Sequence, residues 1–350
     1  DVYKRQAVPK LMTQAALHAP AHVPGTTRAT LFLLLAPPAI AELLSGSAPP
    51  VIYFHPVGIV LLVLLYGSGT LLIRELRVRW GLQWPVLLLA VAYGILEEGT
   101  AIQSFFNHNH ADMGLLESFG MALGVQWPWA VMTTFFHATV STLIPIAIAD
   151  LLWPTVRDRP LVGARGLAVA IVGLGVVSLG LMAMVSGQQA TMAVPYEPSA
   201  VLVVGSLLVV LALGAGAYLL RGQRLEIQRL PLLPPWLLAV LAFFAQGANI
   251  IVVNTLAKQG VAAGTVITVQ LIGLLLVLSV GISQLCHREL SRRHLVALLS
   301  GSLAYFIVVT PIHELVADAN PDPGHGMLLV GLTALGALIA LRRRVLPSSG

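Results

Sequence analysis

Apolar stretches long enough to cross a bilayer recur along almost the whole chain, with few polar groups between them. A membrane-spanning helix needs about 20 predominantly apolar residues. Inside hydrocarbon every backbone N–H and C=O must find a partner within the protein, which restricts spanning structure to helices and closed barrels. Ten such segments stand out, at Ala29 to Leu44, Pro56 to Ile73, Trp84 to Phe106, Trp127 to Trp153, Leu167 to Val185, Ala200 to Leu220, Leu233 to Val253, Gly264 to Ile282, Leu295 to Ile312 and Met327 to Leu341. They predict an all-α, polytopic transmembrane bundle of about ten spans. Composition agrees: 57% of residues are hydrophobic and 10% charged, with a mean hydropathy of +0.86, whereas soluble domains average roughly 25% charged. A soluble fold is excluded. Residues 1–28 read as an N-terminal tail without a signal peptide, its first six residues (DVYKRQ) unrelated to the rest of the chain, and residues 29–350 as a single transmembrane domain.

The charges report topology. A net charge of +5 would point to nucleic acid in a soluble protein, but here the arginines fall in short clusters between apolar runs. Lys and Arg are retained on the cytoplasmic side of membrane proteins. Alternate loops carry Arg74, Arg77 and Arg79; Arg157, Arg159 and Arg165; Arg221, Arg224 and Arg229; Arg288, Arg292 and Arg293; and Arg342, Arg343 and Arg344. With Lys4, Arg5, Lys10 and Arg28 they put 19 of 20 basic residues on one side, leaving Lys258 on the other. The expected protein is multi-pass in a cell membrane of the bacterial or archaeal inner-membrane kind, both termini cytoplasmic, its partners the lipid bilayer and an unidentified substrate, with no nucleic acid. Cys286 is the only cysteine, so no internal disulfide or cysteine cluster staples the fold. Trp80, Trp84, Trp127, Trp129 and Trp153 fall at span ends, where amphipathic rings anchor. Gly173, Gly175 and Gly180 lie on one span, where small residues permit close helix approach. The Tyr66-Gly67 and Tyr93-Gly94 pairs are too short to count as a repeat.

An ionisable side chain in hydrocarbon costs at least about 2.5–3.5 kcal/mol at a helix centre and so marks a function or a pairing need. Glu97 and Glu98 lie about 13 residues into the third segment, roughly 20 Å along a helix, and His137 lies ten residues, roughly 15 Å, below Trp127 on the fourth. Glu97 and His137 can therefore share a level. Thr133, His137 and Ser141 succeed one another at i, i+4, with Thr134 beside them, and form a polar stripe that should face the interior. Adjacent helical residues are about 100° apart, so one of the two carboxylates can titrate or ligate while the other orients. Glu42, His55 and His313-Glu314 gather toward the same side, and Gln246 and Asn249 lie at i, i+3; the chemistry is expected on the third, fourth and ninth segments. The bland alternatives are a glutamate pair neutralised by a neighbouring cation, a core histidine, an interfacial ion pair at Arg74-Glu75, a helix cap at His313-Glu314, and a solvated loop for Asn107-His108-Asn109-His110-Ala111-Asp112.

Glu97-Glu98 on one span and His137 on the next resemble the intramembrane proteases that process CAAX proteins and bacteriocins (the CPBP family), which carry E-E-x-x-x-R, then F-x-x-x-H, then a further His. The resemblance covers about 45 residues; Ile102 stands at the Arg position and Thr133 at the Phe position. It implies a hydrolase or peptidase in which glutamate and histidine activate water, directly or through a metal. The strings Glu42-Leu-Leu-Ser-Gly-Ser and Tyr93-Gly-Ile-Leu-Glu-Glu-Gly also resemble parts of an uncharacterised bacterial membrane family. Three readings are open. In the first, an intramembrane hydrolase, Glu97, Glu98 and His137 are catalytic, and His137, His313 and Glu314 are the candidate ligands of a divalent metal such as zinc, which needs three ligands and an open position. In the second the same carboxylates carry a proton or cation in a transporter. In the third the protein is a membrane scaffold or assembly factor.

Overall fold

The computed structural model describes residues 23–107, 116, 119–189, 199–223, 230–317 and 324–346. Ten long helical stretches run through them: α1 Thr26–Leu44, α2 Pro56–Trp80, α3 Val86–Ile95 continued by Leu96–Ala101, α4 Trp127–Leu152, α5 Ala164–Gln189, α6 Ala200–Leu219, α7 Pro235–Lys258, α8 Ala263–Leu285, α9 Arg292–Leu315 and α10 Met327–Val345. Eight of them are long and apolar enough to cross a membrane. The other two are α3, whose sixteen residues reach roughly 24 Å, and α10, which closes on Arg342, Arg343 and Arg344. A two-residue hairpin, β1 Met121–Ala122 against β2 Val125–Gln126, precedes α4. The segment expected as Trp84 to Phe106 ends its helix at Ala101: the chain then turns through Gln103 at φ 60, a left-handed conformation uncommon outside glycine. The His108 to Asp112 tract lies outside the described residues.

Among the helices long enough to span, α2 and α4 are the most buried. Leu33, Leu65, Tyr66, Leu71, Tyr93 and Ile146 share one apolar core with Leu174 of α5 and Ala217 of α6. A second core joins α1 and α4 to α9 and α10 through Leu44, Val140, Ile144, Leu299 and Phe306.

Prolines shape the backbone. Pro37 and Pro38 have no N–H to give the carbonyls of Leu33 and Leu34, and the next turn, Ala39–Leu44, is π-helical. Pro145 likewise leaves the Ser141 carbonyl without its helical donor, and Thr70 Oγ1 of α2 donates to it at 2.7 Å. Further π-helical turns lie at Val63–Gly67 in α2, Leu96–Ala101 in α3 and His137–Leu143 in α4.

The close approaches do not come from the glycines expected to provide them. Gly175 and Gly180 face open space; Gly173 alone of the three has neighbours, at Leu64 and Ser68. Helices meet most tightly at other positions. A Cβ on Gly67 would lie 2.4 Å from the Leu34 carbonyl oxygen, and one on Gly69 2.2 Å from the Tyr93 ring.

Several arginine-bearing segments meet one another. Arg77 makes a bidentate pair with Asp150 at 2.6 and 3.1 Å, Trp80 packs edge-on against Tyr218 at 5.1 Å, and Arg344 lies 5.9 Å over Trp153. Arg74 and Glu75 are more than an interfacial pair. Both are buried: Arg74 bonds Glu75 at 2.7 Å and the carbonyls of Val156 and Arg157, while Glu75 also accepts from Leu161 N at 2.7 Å. They tie the loop after α4 to α2.

Gly67→Ala should lower the detergent melting temperature in proportion to an overpacking cost of about 1–3 kcal/mol. Gly175→Ala, with nothing within 4 Å of the new Cβ, should leave it unchanged or raise it. Differential scanning fluorimetry in the same detergent compares the two.

Candidate functional site

His137 opens the π-helical turn of α4, and Glu97 and Glu98 lie in that of α3. Glu98 Oε1 is 2.8 Å from His137 Nε2, and Glu97 Oε2 is 3.1 Å from Nδ1. Both adjacent carboxylates thus reach one imidazole, from opposite edges, where a regular helix would have sent one of them elsewhere. The π-helical turn explains the difference: Ile102 N bonds back to Glu97 O at 2.8 Å, an i to i−5 closure that turns the chain less per residue. The depth match between Glu97 and His137 and the inward-facing Thr133, His137, Ser141 stripe are both present in the structure. Thr133, His137 and Ser141 are all buried.

Further contacts hold the trio. His137 Nδ1 is 3.0 Å from Ser141 Oγ, in hydrogen-bond geometry, so Glu97 Oε2 makes an electrostatic contact there and is otherwise without a hydrogen bond. Ser104, brought back by the turn at Gln103, donates to Glu98, and Trp129 Nε1 donates to Ser104 at 2.9 Å. Trp129, expected as an interfacial anchor, is therefore a buried brace two bonds from the acid pair. Tyr66 donates to Glu42, stacks obliquely 6.0 Å from the His137 ring and lies 6.3 Å from the Tyr93 ring. Tyr66 and Tyr93 are both buried, and the Tyr93 hydroxyl has no hydrogen-bond partner.

Exposure separates the members. The side chain of Glu98 is 12% exposed, against 3% for Glu97 and 4% for His137. An apolar groove of about 600 Å³ is lined by Ile95 and Thr134, each three residues along its helix from a member of the trio, and by Phe105, Leu202 and Ser206; none of the trio itself lines it.

The remaining sequence candidates are elsewhere. His313 packs its ring on Gly46, one turn beyond Glu42, and Glu314 accepts from Leu328 N at 3.0 Å with His325 4.0 Å away. Among the described residues no three His, Cys, Asp or Glu side chains are arranged to hold a metal ion. The expected ligand set of His137, His313 and Glu314 is not assembled, because His137 spends both ring nitrogens on Glu97, Glu98 and Ser141 while Glu314 caps the start of α10. The ninth helix thus gives way to the first two: Glu42 and Tyr66 join the site in its place. Asn249 and Gln246 belong to α7; Asn249 accepts from Gln270 at 2.9 Å, and Gln270 also reaches Pro128 O at 3.0 Å, a brace against α4. Tyr66 and Tyr93 are site residues that the sequence pattern did not single out. Their signal was the Tyr-Gly pair occurring twice, each glycine backing onto a neighbouring helix.

A family model described as "Uncharacterized membrane protein family" matches residues 30–347, a span that contains every residue of this site. The chain belongs to that family. Neither the curated proteins nor the solved structures give a match to the chain. The family's description fixes an integral membrane protein and names no activity, and the eight long apolar helices place it as multi-pass in a membrane.

Trp129→Phe removes the N–H donor to Ser104 and leaves a gap where the larger buried indole stood, so it should cost more than the roughly 1 kcal/mol of one hydrogen bond, whereas Trp127→Phe, which also loses a donor but at a partly exposed ring, should cost less. Thermal unfolding of both variants in one detergent checks the order.

Proposed function

We propose that this protein is an intramembrane hydrolase of the acid–base kind, acting on an apolar, membrane-embedded substrate, with Glu98 as general base and then general acid and His137 as the group that orients Glu98 and shares its proton. The observation that carries the reading is the Glu97–His137–Glu98 unit: a buried imidazole gripped at both nitrogens by two carboxylates, one of them more exposed than the other. Glu98 takes a proton from water and shares it with His137 Nε2, the water oxygen attacks the scissile acyl carbon, and as the bond to the leaving group breaks Glu98 returns the proton to the leaving atom. Glu97 holds the Nδ1 edge and stabilises positive charge on the ring as it forms. The apolar groove lined by Ile95 and Thr134, about one helical turn away, gives a substrate of apolar chains a place to bind without leaving the bilayer.

A proton-coupled transporter is the second reading, favoured by the same unit because two carboxylates and one imidazole in hydrocarbon approach neutrality by taking up protons. The two separate by experiment. Purified protein in phosphatidylcholine nanodiscs is offered a quenched hydrophobic peptide and a fluorogenic long-chain ester. Under the hydrolase reading Glu98→Gln lowers turnover about 10²–10⁴-fold with little change in melting temperature. Absence of turnover by the unaltered protein, together with proton flux into proteoliposomes that Glu98→Gln abolishes, would favour transport.

We also propose the full topology, in which α3 and α10 cross as well and both termini are cytoplasmic; the arginine clusters in alternate loops support it. In a Cys286→Ser background, single cysteines at Ser47 and Gly260 should react with an impermeant maleimide added outside intact cells. Cysteines at Asp158 and Gly222 should react only after lysis. Outside labelling at Asp158 would contradict the ten-span arrangement.

A further inference from the structure

The trio uses α3 and α4 alone, yet the polar groups do not stop there. Tyr66 from α2 donates to Glu42 from α1, its ring lies 6.0 Å from that of His137, and Glu97 is near enough to act on its hydroxyl electrostatically. One buried phenol thus stands between a partly exposed carboxylate and the most deeply buried member of the trio. Each of these groups lies in a π-helical turn: Glu42 in Ala39–Leu44, Tyr66 in Val63–Gly67, Glu97 in Leu96–Ala101 and His137 in His137–Leu143. Such turns are rare and gather at functional sites. Two further buried polar atoms lie in the same region, the Tyr93 hydroxyl and Glu97 Oε2, the latter 3.1 Å from His137 Nδ1.

The geometry points to a proton relay: Tyr66, held by Glu42, connects the Glu97–His137–Glu98 site to the arginine-poor face of the bundle, and Tyr66 is its positioning residue. The step balances. The carboxyl proton of Glu42 passes to the Tyr66 oxygen while the Tyr66 O–H proton passes to the Glu97 carboxylate; two O–H bonds break and two form. The net change is one proton moved from Glu42 to Glu97, and Tyr66 ends neutral.

The groups that face this path are few. From α1 comes Glu42, with the His313 ring of α9 packed on Gly46 one turn further out. From α2 come Tyr66 and Thr70, from α3 Tyr93, Glu97 and Glu98, and from α4 His137 and Ser141. Tyr53, in the short helical turn Pro50–Tyr53, adds one more phenol near Glu42. Burial, with Glu42 beside it, pushes the Tyr53 hydroxyl above the ordinary tyrosine range, so it stays a neutral donor at the mouth. No arginine or lysine appears among these partners.

The relay rests on the acid–base reading of the trio, and its test is independent of turnover. The full chain in phosphatidylcholine vesicles is followed by infrared spectroscopy after a pH jump, with the carboxyl band of Glu97 assigned by its loss in Glu97→Gln. In the unaltered protein the band should follow the jump. Tyr66→Phe should keep the band's equilibrium titration but slow its response by at least about tenfold, the lower edge of a proton-transfer contribution. Should Tyr66→Phe fail to fold, Glu42→Gln, at a partly exposed position, gives the same slowing. A response at the original rate in either folded variant overturns the relay, as does a Glu97 band indifferent to pH in the unaltered protein. Failure of the acid–base reading looks different: the relay variants slow the band, yet Glu98→Gln leaves turnover intact.

Discussion

A charged or polar side chain in hydrocarbon has nowhere to go except to another protein group, and this constraint organises the first half of the molecule. Glu97, Glu98 and His137 satisfy one another because α3 and α4 run antiparallel and bring them to one level. The partners left over draw in the rest: Glu98 needs Ser104, Ser104 needs the turn at Gln103, and Trp129 closes the sequence from α4. The cost of leaving any of these unpaired, several kcal/mol in a low dielectric, fixes the packing of four helices around a small polar centre.

The backbone contributes as much as the side chains. In α1 and α4 proline removes donors and the freed carbonyls need partners, and π-helical turns there and, without proline, in α2 and α3 tilt side chains off the regular helical positions. The Ser141 carbonyl freed by Pro145 is answered by Thr70, so α2 is bound to α4 one turn from His137. Gly67 and Gly69 then allow α1 and α3 to come close enough to α2 for Tyr66 and Tyr93 to line the same space. These are small irregularities in otherwise apolar helices, and they lie where the polar residues lie.

Most of the architecture is legible in the sequence because hydropathy in a membrane is read almost directly as helices. All ten predicted segments coincide with helical stretches among the described residues, although two fall short of span length or apolarity. That Glu97 and His137 can share a level follows from helical rise; that they face each other is what the structure adds. What regular-helix geometry could not give is the double grip on the imidazole, since it assigns 100° per residue and the actual turn is wider. It also gave His313 and Glu314 too much weight: both sit at a helix end, where capping and a packed glycine account for them. Glu42 was visible as a polar outlier but its partner was not, because nothing in the local sequence says that Tyr66 faces it across two helices. The glycines after Tyr66 and Tyr93 carried that information in a form that a search for long repeats passes over.

Above all, Glu98 and His137 must act as one energetic unit inside the membrane. A double-mutant cycle reads this directly: thermal unfolding free energies in one detergent for the unaltered protein, Glu98→Gln, His137→Gln and the double variant. A coupling energy of about 1–3 kcal/mol between the two positions is expected, as groups in one hydrogen-bonded network give. Effects that add to within about 0.5 kcal/mol would mean that the two side chains do not interact and would contradict a Glu97–His137–Glu98 site.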